Sequence, residues 1–225
     1  TLREIIFGIG GGLKNNAKFK AVQIGGPSGG CLTEEHLDMN LDFDSLQKIG
    51  AMIGSGGMVV LDVDTCMVET ARFFMSFTQE ESCGKCIPCR EGTNRMLEIL
   101  TKITKGQGIK SDLDLLEEIA FTVKNGSLCG LGKTAANPVL STLKYFRNEY
   151  EQHINERKCP AGECKDLMEY KIDPALCKGC SKCARICPSE AITGEIKKPY
   201  TINQDKCTKC GSCIDACPFG AILVG

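Results

Sequence analysis

Sixteen cysteines in 225 residues carry the chemistry of this chain. Eight of them form two runs, Cys177, Cys180, Cys183 and Cys187-Pro188, then Cys207, Cys210, Cys213 and Cys217-Pro218, so the pattern CxxCxxCxxxCP occurs twice. Two residues between thiolates let one tight loop present three ligands to three corners of an iron–sulfur cubane, and the fourth cysteine of such a run points toward the other site. The ligand sets therefore cross. Cys177, Cys180, Cys183 and Cys217 are assigned to one 4Fe-4S cluster, and Cys207, Cys210, Cys213 and Cys187 to a second. Structural zinc would favour paired CxxC knuckles over this run.

A further constellation is Cys83, Cys86 and Cys89 in SCGKCIPCREG, with Cys129 in the distant turn SLCGLG. Three thiolates from one loop and a fourth from elsewhere suit a third 4Fe-4S cluster, with zinc as the competing occupant. Lys85, Arg90 and the start of a helix are placed to offset the negative charge of a thiolate-ligated cluster.

Four cysteines remain: Cys31, Cys66, Cys159 and Cys164. The segment HINERKCPAGEC puts His153, Cys159 and Cys164 in one helix end and loop. Thiolates and an imidazole are the usual ligands of a closed, four-coordinate zinc site, and the alternative is a buried helical histidine beside two unrelated thiols. Cys66, at the start of a helix that an antiparallel neighbour can return to, is the better fourth ligand. Cys31 competes for that place but reads as a buried thiol in another domain. A metal at Cys66, His153, Cys159 and Cys164 would fix the linker there or act as its pivot.

These ligands need elements to hold them. Residues 1–61 are Gly-rich with short apolar runs between turn signals, which predicts a small α/β domain. The start, Thr1 to Ile9, reads as a helix already under way, and the glycines at 8–12 lack a full GxGxxG, so they read as a turn rather than a nucleotide loop. His36, in a polar stretch, reads as a surface residue, and Lys197-Lys198-Pro199 as a solvated turn. From 62 to 157 the apolar period becomes helical, with helices expected at 66–79, 91–105, 111–125 and 138–156, Ser111 and Asn137 as N-caps, and inward stripes Leu113, Leu116, Ile119, Val123 and Leu140, Leu143, Phe146, Tyr150. This predicts a four-helix bundle. Residues 158–171 are then a linker carrying the zinc site. Residues 172–193 repeat at 202–223 with an offset of 30, aligning all four Cys, the Pro and an Ala-Ile pair, so 172–225 is expected to fold as a pseudo-twofold unit. Ile172, Ile192, Ile202 and Ile222 take equivalent places beside the clusters. The fold class is α+β multidomain.

Composition narrows the alternatives. Lys plus Arg number 27 and Asp plus Glu 28, so no electrostatic footprint of a nucleic-acid binder is present. No apolar run reaches the roughly 20 residues of a membrane span. Without an export signal, cysteine usage this dense favours metal ligation over disulfides and predicts a cytoplasmic protein.

The repeated CxxCxxCxxxCP resembles bacterial-type two-cluster ferredoxins over roughly the last 55 residues. ESCGKCxPCREG with SLCGLG is similar to the flavin-carrying, NADH-oxidising subunit of respiratory complex I and related hydrogenases, in which these four cysteines hold a 4Fe-4S cluster beside FMN. Ile24-Gly25-Gly26-Pro27-Ser28-Gly29-Gly30 resembles that subunit's ubiquitin-like SLBB domain, a β-grasp fold. The ferredoxin tail makes the chain most similar to β subunits of multimeric, often electron-bifurcating, FeFe hydrogenases and to NADP-reducing hydrogenase subunits. The resemblance implies an electron relay working with a catalytic hydrogenase subunit, a 2Fe-2S thioredoxin-like small subunit and external ferredoxin. It also implies FMN and NAD(P) on an upstream glycine-rich domain with no counterpart in these residues, so the sequence reads as a C-terminal portion with no catalytic residue of its own. The competing reading is a stand-alone ferredoxin-like adaptor that docks a catalytic partner; a third, zinc throughout, would be excluded by iron and sulfide counts.

Overall fold

A computed structural model describes residues 1–224. They form two compact units, Thr1–Cys164 and Lys165 onward. The architecture is mixed α/β, and among the described residues no helix is long and apolar enough to cross a membrane.

The first unit opens with a π-helical turn, Glu4–Ile9. A three-stranded antiparallel sheet follows, formed by β1 (Phe19–Ile24), β2 (Gly30–Thr33) and, after the short helix α1 (Phe43–Lys48), β3 (Met58–Asp62), in the order β2-β1-β3. Alternating side chains on β1 divide between two faces. Val22 and Ile24 join Leu2, Ile6, Leu32, Leu37 and Leu46 in one core. Ala21 turns the other way, with Cys31, Leu61, Met67 and Phe146.

Five helices complete this unit: α2 (Met67–Glu80), α3 (Ile87–Thr104), α4 (Ser111–Gly126), the short α5 (Gly130–Ala135) and α6 (Asn137–Glu151). Their apolar stripes meet: Ala71, Phe74 and Met75 of α2, Met96, Leu100 and Ile103 of α3, Leu116, Ala120 and Val123 of α4, and Val139, Leu143 and Tyr150 of α6 are all buried. The stripes differ from the expected ones by one position in α4 and two in α6, where Phe146 is also only partly buried. Ile119 and Leu140 are only partly buried, because Ala120 and Val139 take the interior places.

Helix α3 starts four residues earlier than its periodicity predicts. Cys86 is its N-cap and Pro88 lies in its first turn, where a fixed φ and a missing N–H are tolerated. The two expected N-caps do not cap. Ser111 makes no capping bond, and Asp112 instead accepts the Ile109 N–H at 2.8 Å. Asn137 is the first residue of α6, and its Nδ2 donates to the Ser28 carbonyl at 3.2 Å, a tie to the sheet side. Two more ties accompany it: Cys31 N–H donates to Ser141 Oγ at 2.9 Å, and Lys20 Nζ lies 2.7 Å from Glu149 Oε1, with both side chains largely buried. His36 is not a free surface residue either, since its ring accepts the Thr33 N–H and its Nε2 lies 3.3 Å from the Tyr145 hydroxyl.

The second unit is built from the repeat. It contains β4 (Tyr170–Ile172), α7 (Lys182–Ile186), β5 (Ile192–Thr193), β6 (Thr201–Ile202), α8 (Ser212–Ala216) and β7 (Ile222–Val224). The strands pair across the copies. β4 of the first copy lies antiparallel to β7 of the second, with Ile172 opposite Ile222, and β5 lies against β6, with Ile192 opposite Ile202. All four repeated isoleucines thus sit in one core with Cys183 and Cys213.

Candidate metal centres

Cys66, His153, Cys159 and Cys164 meet inside the first unit, with one ligand atom from each within 4.8 Å of all the others, and all four are buried. Three features of the chain bring them together. Cys66 is the N-cap of α2. Beyond Glu151, α6 continues as a π-helical turn, Gln152–Glu156, that points His153 inward on the same side as Tyr150. A left-handed residue, Arg157, then turns the chain so that Cys159 and Cys164 return to the same spot. Cys31 lies apart, buried, donating to Gln23 Oε1 at 2.9 Å, with its thiol pushed up to about 12 by burial.

The spacings can be compared with those of a metal site. Cys66 Sγ lies 3.8 Å from Cys164 Sγ, and His153 Nε2 lies 3.4 Å from each of them. A tetrahedron with Zn–S and Zn–N bonds of ordinary length requires about 3.8 Å between sulfurs and about 3.6 Å between sulfur and nitrogen, and the donor set fits. His153 Nδ1 faces the Glu149 carbonyl at 2.7 Å, which fixes the ring with Nε2 toward the sulfurs. Cys66 N–H donates to Glu163 Oε2 at 2.7 Å, and Met67 N–H to Glu149 Oε2 at 3.0 Å. The thiols are electrostatically unequal. Hydrogen bonds from Cys164 and Cys66 drive Cys159 far below the ordinary thiol range. Cys66 is pushed up to about 12, first by its bond to Cys159, and Cys164 is raised for the same reason. The three thiols share one another's hydrogen bonds, and a bound cation would let all three ionise.

The second group lies at the start of α3. Cys89 is buried, Cys86 half-buried, and Cys83 and Cys129 are exposed. The 83–89 loop meets the 127–132 turn directly. The Cys86 thiol is held below its ordinary range by the Leu128 N–H and next by the Cys89 N–H, despite some burial. Gly132 permits this approach, because a Cβ there would fall 2.5 Å from the Ser127 Cβ and 3.3 Å from the Cys89 Cβ. Arg90 is spent on the loop, donating to the Gly84 carbonyl at 2.9 Å and pairing with Glu91. Ser127 Oγ is buried without a hydrogen-bond partner among the described residues. An orphaned donor beside gathered thiols fits a cluster with sulfur acceptors.

In the second unit one cavity is lined by Cys177, Cys180, Cys183 and Cys217. Cross-copy strand pairing explains why Cys217 belongs there, since it closes α8 just before β7, and β7 pairs with β4 of the other copy. Burial raises the Cys213 thiol, and Cys207 and Cys210 lie close enough to raise it further. Cys187 packs against the same core, and although burial opposes it, the Ser189 hydroxyl and the Ala191 N–H hold its thiol below the ordinary range. Gly179, with φ +65°, lets the Lys197-Lys198 turn pack onto the first cysteine loop, where Lys197 N–H donates to the Gly179 carbonyl at 3.1 Å.

Several residues at these sites carry no ligand spacing. Tyr170 and Tyr200 are both buried against the cysteine core, and extending the repeat two residues N-terminally would have aligned them. Glu149, Glu163 and Ser82 act through contacts 7 to 97 residues away in the chain and Ser127 through burial; the serines stand inside the SCGKCIPCREG and SLCGLG motifs, but no local pattern marks the glutamates.

Thiol loops of this form, folded on a cross-paired ferredoxin-like repeat and a helix N-terminus, define an iron–sulfur protein of the electron-transfer class. Residues 69–153 match the NADH-ubiquinone oxidoreductase-F iron-sulfur binding region, and residues 176–221 match a 4Fe-4S dicluster domain. The NADP-reducing hydrogenase subunit HndC of Solidesulfovibrio fructosivorans is 53% identical over 200 residues, covering 89% of this chain and 41% of that protein. The F-type NADH-quinone oxidoreductase subunit of Streptomyces coelicolor is 42% identical over 165 residues, covering 73% of this chain and 36% of the relative. An NAD+-reducing [NiFe]-hydrogenase crystal structure in the H2-reduced state superposes with a TM-score of 0.56 at 34% identity, covering 61% of this chain and 24% of that one. The chain is homologous to these hydrogenase and F-type NADH-quinone oxidoreductase subunits. It spans about two fifths of the length of the curated relatives it matches.

Proposed function

We propose that the chain is the electron-relay portion of an NAD(P)H-linked hydrogenase subunit, with three 4Fe-4S clusters. The ligands are Cys83, Cys86, Cys89 and Cys129 for one, Cys177, Cys180, Cys183 and Cys217 for the second, and Cys207, Cys210, Cys213 and Cys187 for the third. The observation that carries this reading is the cavity that gathers the crossed set Cys177, Cys180, Cys183 and Cys217. When bound, the clusters supply one-electron carriers. The chain's own residues hold them, screen them with the repeated isoleucines and stabilise the thiolates through N–H groups.

In this reading 1–61 is an SLBB-like β-grasp domain, 62–157 a four-helix bundle, 158–171 a linker and 172–225 the ferredoxin-like domain. The cytoplasm, where thiols stay reduced, is its compartment. FMN and NAD(P) bind on a separate glycine-rich domain of the parent subunit. The partners are a catalytic hydrogenase subunit, a 2Fe-2S thioredoxin-like subunit and external ferredoxin, and the likeness to HndC, an NADP-reducing hydrogenase subunit, supports this class. Zinc is assigned to Cys66, His153, Cys159 and Cys164 as a closed structural site, supported by the tetrahedral spacings and by burial of all four.

The test is anaerobic analysis of the isolated chain. About twelve iron and twelve acid-labile sulfide per chain are expected, four of each per cubane. Dithionite should reduce the chain and NADH with added FMN should not. Reduction by NADH would overturn the assignment of flavin to another domain, and a sulfide content near zero would overturn the clusters.

A further inference from the structure

Resting on the cluster assignment at Cys83, Cys86, Cys89 and Cys129, we infer that two serine hydroxyls, Ser82 and Ser127, raise that cluster's reduction potential by donating hydrogen bonds to its sulfurs. Ser82 Oγ lies 3.3 Å from Cys89 Sγ. Its oxygen already receives the Gly84 N–H at 3.4 Å. A ligating Cys89 has no proton to give, so the remaining bond runs from the Ser82 hydroxyl to the sulfur. Ser127 Oγ is the complementary case. The residue is 3% exposed, and its hydroxyl completes no hydrogen bond among the described residues while standing close enough to the Cys86 sulfur to help hold that thiol down. It stands where the 127–132 turn closes on Cys89 and sends the Leu128 N–H to Cys86. Leaving a buried hydroxyl unpaired costs about 1–3 kcal/mol, and cluster sulfur is the acceptor chemistry of that spot.

The direction follows from charge. Adding an electron makes the sulfurs more negative, and a hydrogen bond to a more negative acceptor is stronger. The reduced state gains more from each donor, so the midpoint rises. The ferredoxin-like unit has its own donors, with Ala191 N–H on Cys187 Sγ at 3.3 Å, Ala221 N–H on Cys217 Sγ at 3.4 Å, and the Ser189 and Ser212 hydroxyls 3.6 and 3.4 Å from Cys187 and Cys210 Sγ. Its two clusters therefore serve as internal references when only Ser82 or Ser127 is changed. Both serines are positioning residues, acting through ligands and sulfide.

The experiment is an EPR-monitored potentiometric titration of the chain with clusters in place, comparing wild type, Ser82→Ala, Ser82→Thr and Ser127→Ala. At the wild-type midpoint of this cluster, each alanine variant is expected to lower its reduced-to-oxidised ratio about threefold. That equals about 28 mV more negative at 59 mV per tenfold for one electron. Ser82→Thr, which keeps the hydroxyl, should restore the wild-type value, and the two ferredoxin-like clusters should not move. An exchangeable-proton coupling in the reduced wild-type cluster should weaken in Ser82→Ala. Unchanged midpoints in both alanine variants overturn the inference. So does loss of the cluster in Ser82→Ala and Ser82→Thr alike, which would assign Ser82 to loop folding. Absence of a third cluster signal in the wild-type chain would instead remove the ligand assignment and this inference with it.

Discussion

The cysteines of the ferredoxin-like repeat and the group Cys66, His153, Cys159 and Cys164 use similar donors in opposite surroundings. In the repeat, Cys180 and Cys210 are exposed at their loops. In the other group every donor is buried, and His153 and Cys66 are fully inaccessible. An electron carrier must bring its cofactor close to the surface, whereas a structural metal is best closed off from solvent and exchange. The two regions also assemble differently. The repeat gathers three donors within seven residues, and Cys217 of the other copy lines the cavity of Cys177, Cys180 and Cys183. The closed site draws Cys66 from the start of α2 and the other three from 87 to 98 residues later.

The contrast can be broken at its strongest point by exchanging ligands of the repeat. Cys177→Ser and Cys217→Ser should abolish the same cluster signal, and Cys187→Ser the other, each lowering iron from about twelve to about eight per chain. If Cys217→Ser instead removed the signal lost in Cys207→Ser, the crossed assignment would fail. Next in size is the closed site. Cys159→Ser should take zinc from about one per chain to near zero while leaving iron unchanged. The melting temperature should fall by about 6–12 °C, equivalent to about 3 kcal/mol in a domain of this size. Retained zinc, or zinc absent from the wild type, would show that the four residues are only packed together.

The smallest expected effect on metal content lies one layer out. Glu149 accepts the Met67 N–H beside Cys66, pairs with largely buried Lys20, and offers its carbonyl to His153. Glu149→Ala strands the Lys20 charge and should cost about 3 kcal/mol in denaturant unfolding. It should lower zinc affinity by about tenfold, the low end of outer-layer effects. Because the His153 bond uses the backbone carbonyl, zinc should still bind. Complete zinc loss in this variant would mean that the carboxylate is needed to build the site.

Legibility in the sequence followed from locality. The CxxCxxCxxxCP runs, the 30-residue repeat and the apolar helix stripes are short-range patterns, because loop geometry and helical period operate over a few residues. Where a local choice depended on a distant partner, the pattern misled. Asn137 looks like an N-cap but bonds Ser28 across the sheet, and His36 looks exposed but meets Tyr145. Ser127 stands in the SLCGLG motif, but its burial is created only by the closing of two turns.

The sequence by itself therefore determined the donor types, the cubane spacing and the twofold character of the last 55 residues, because three thiolates in one loop are positioned by covalent proximity. Only the tertiary structure decided that Cys66 rather than Cys31 joins His153, Cys159 and Cys164. That choice depends on the π-helical end of α6 and the left-handed turn at Arg157, which return the chain to the start of α2. It also supplied a physical reason for Cys217 to stand with the other copy's cysteines. Strands β4 and β7 come from different copies, and their pairing brings Cys217 to the loop of Cys177, so hydrogen bonding between distant strands realises the crossing that the CxxCxxCxxxCP spacing predicts.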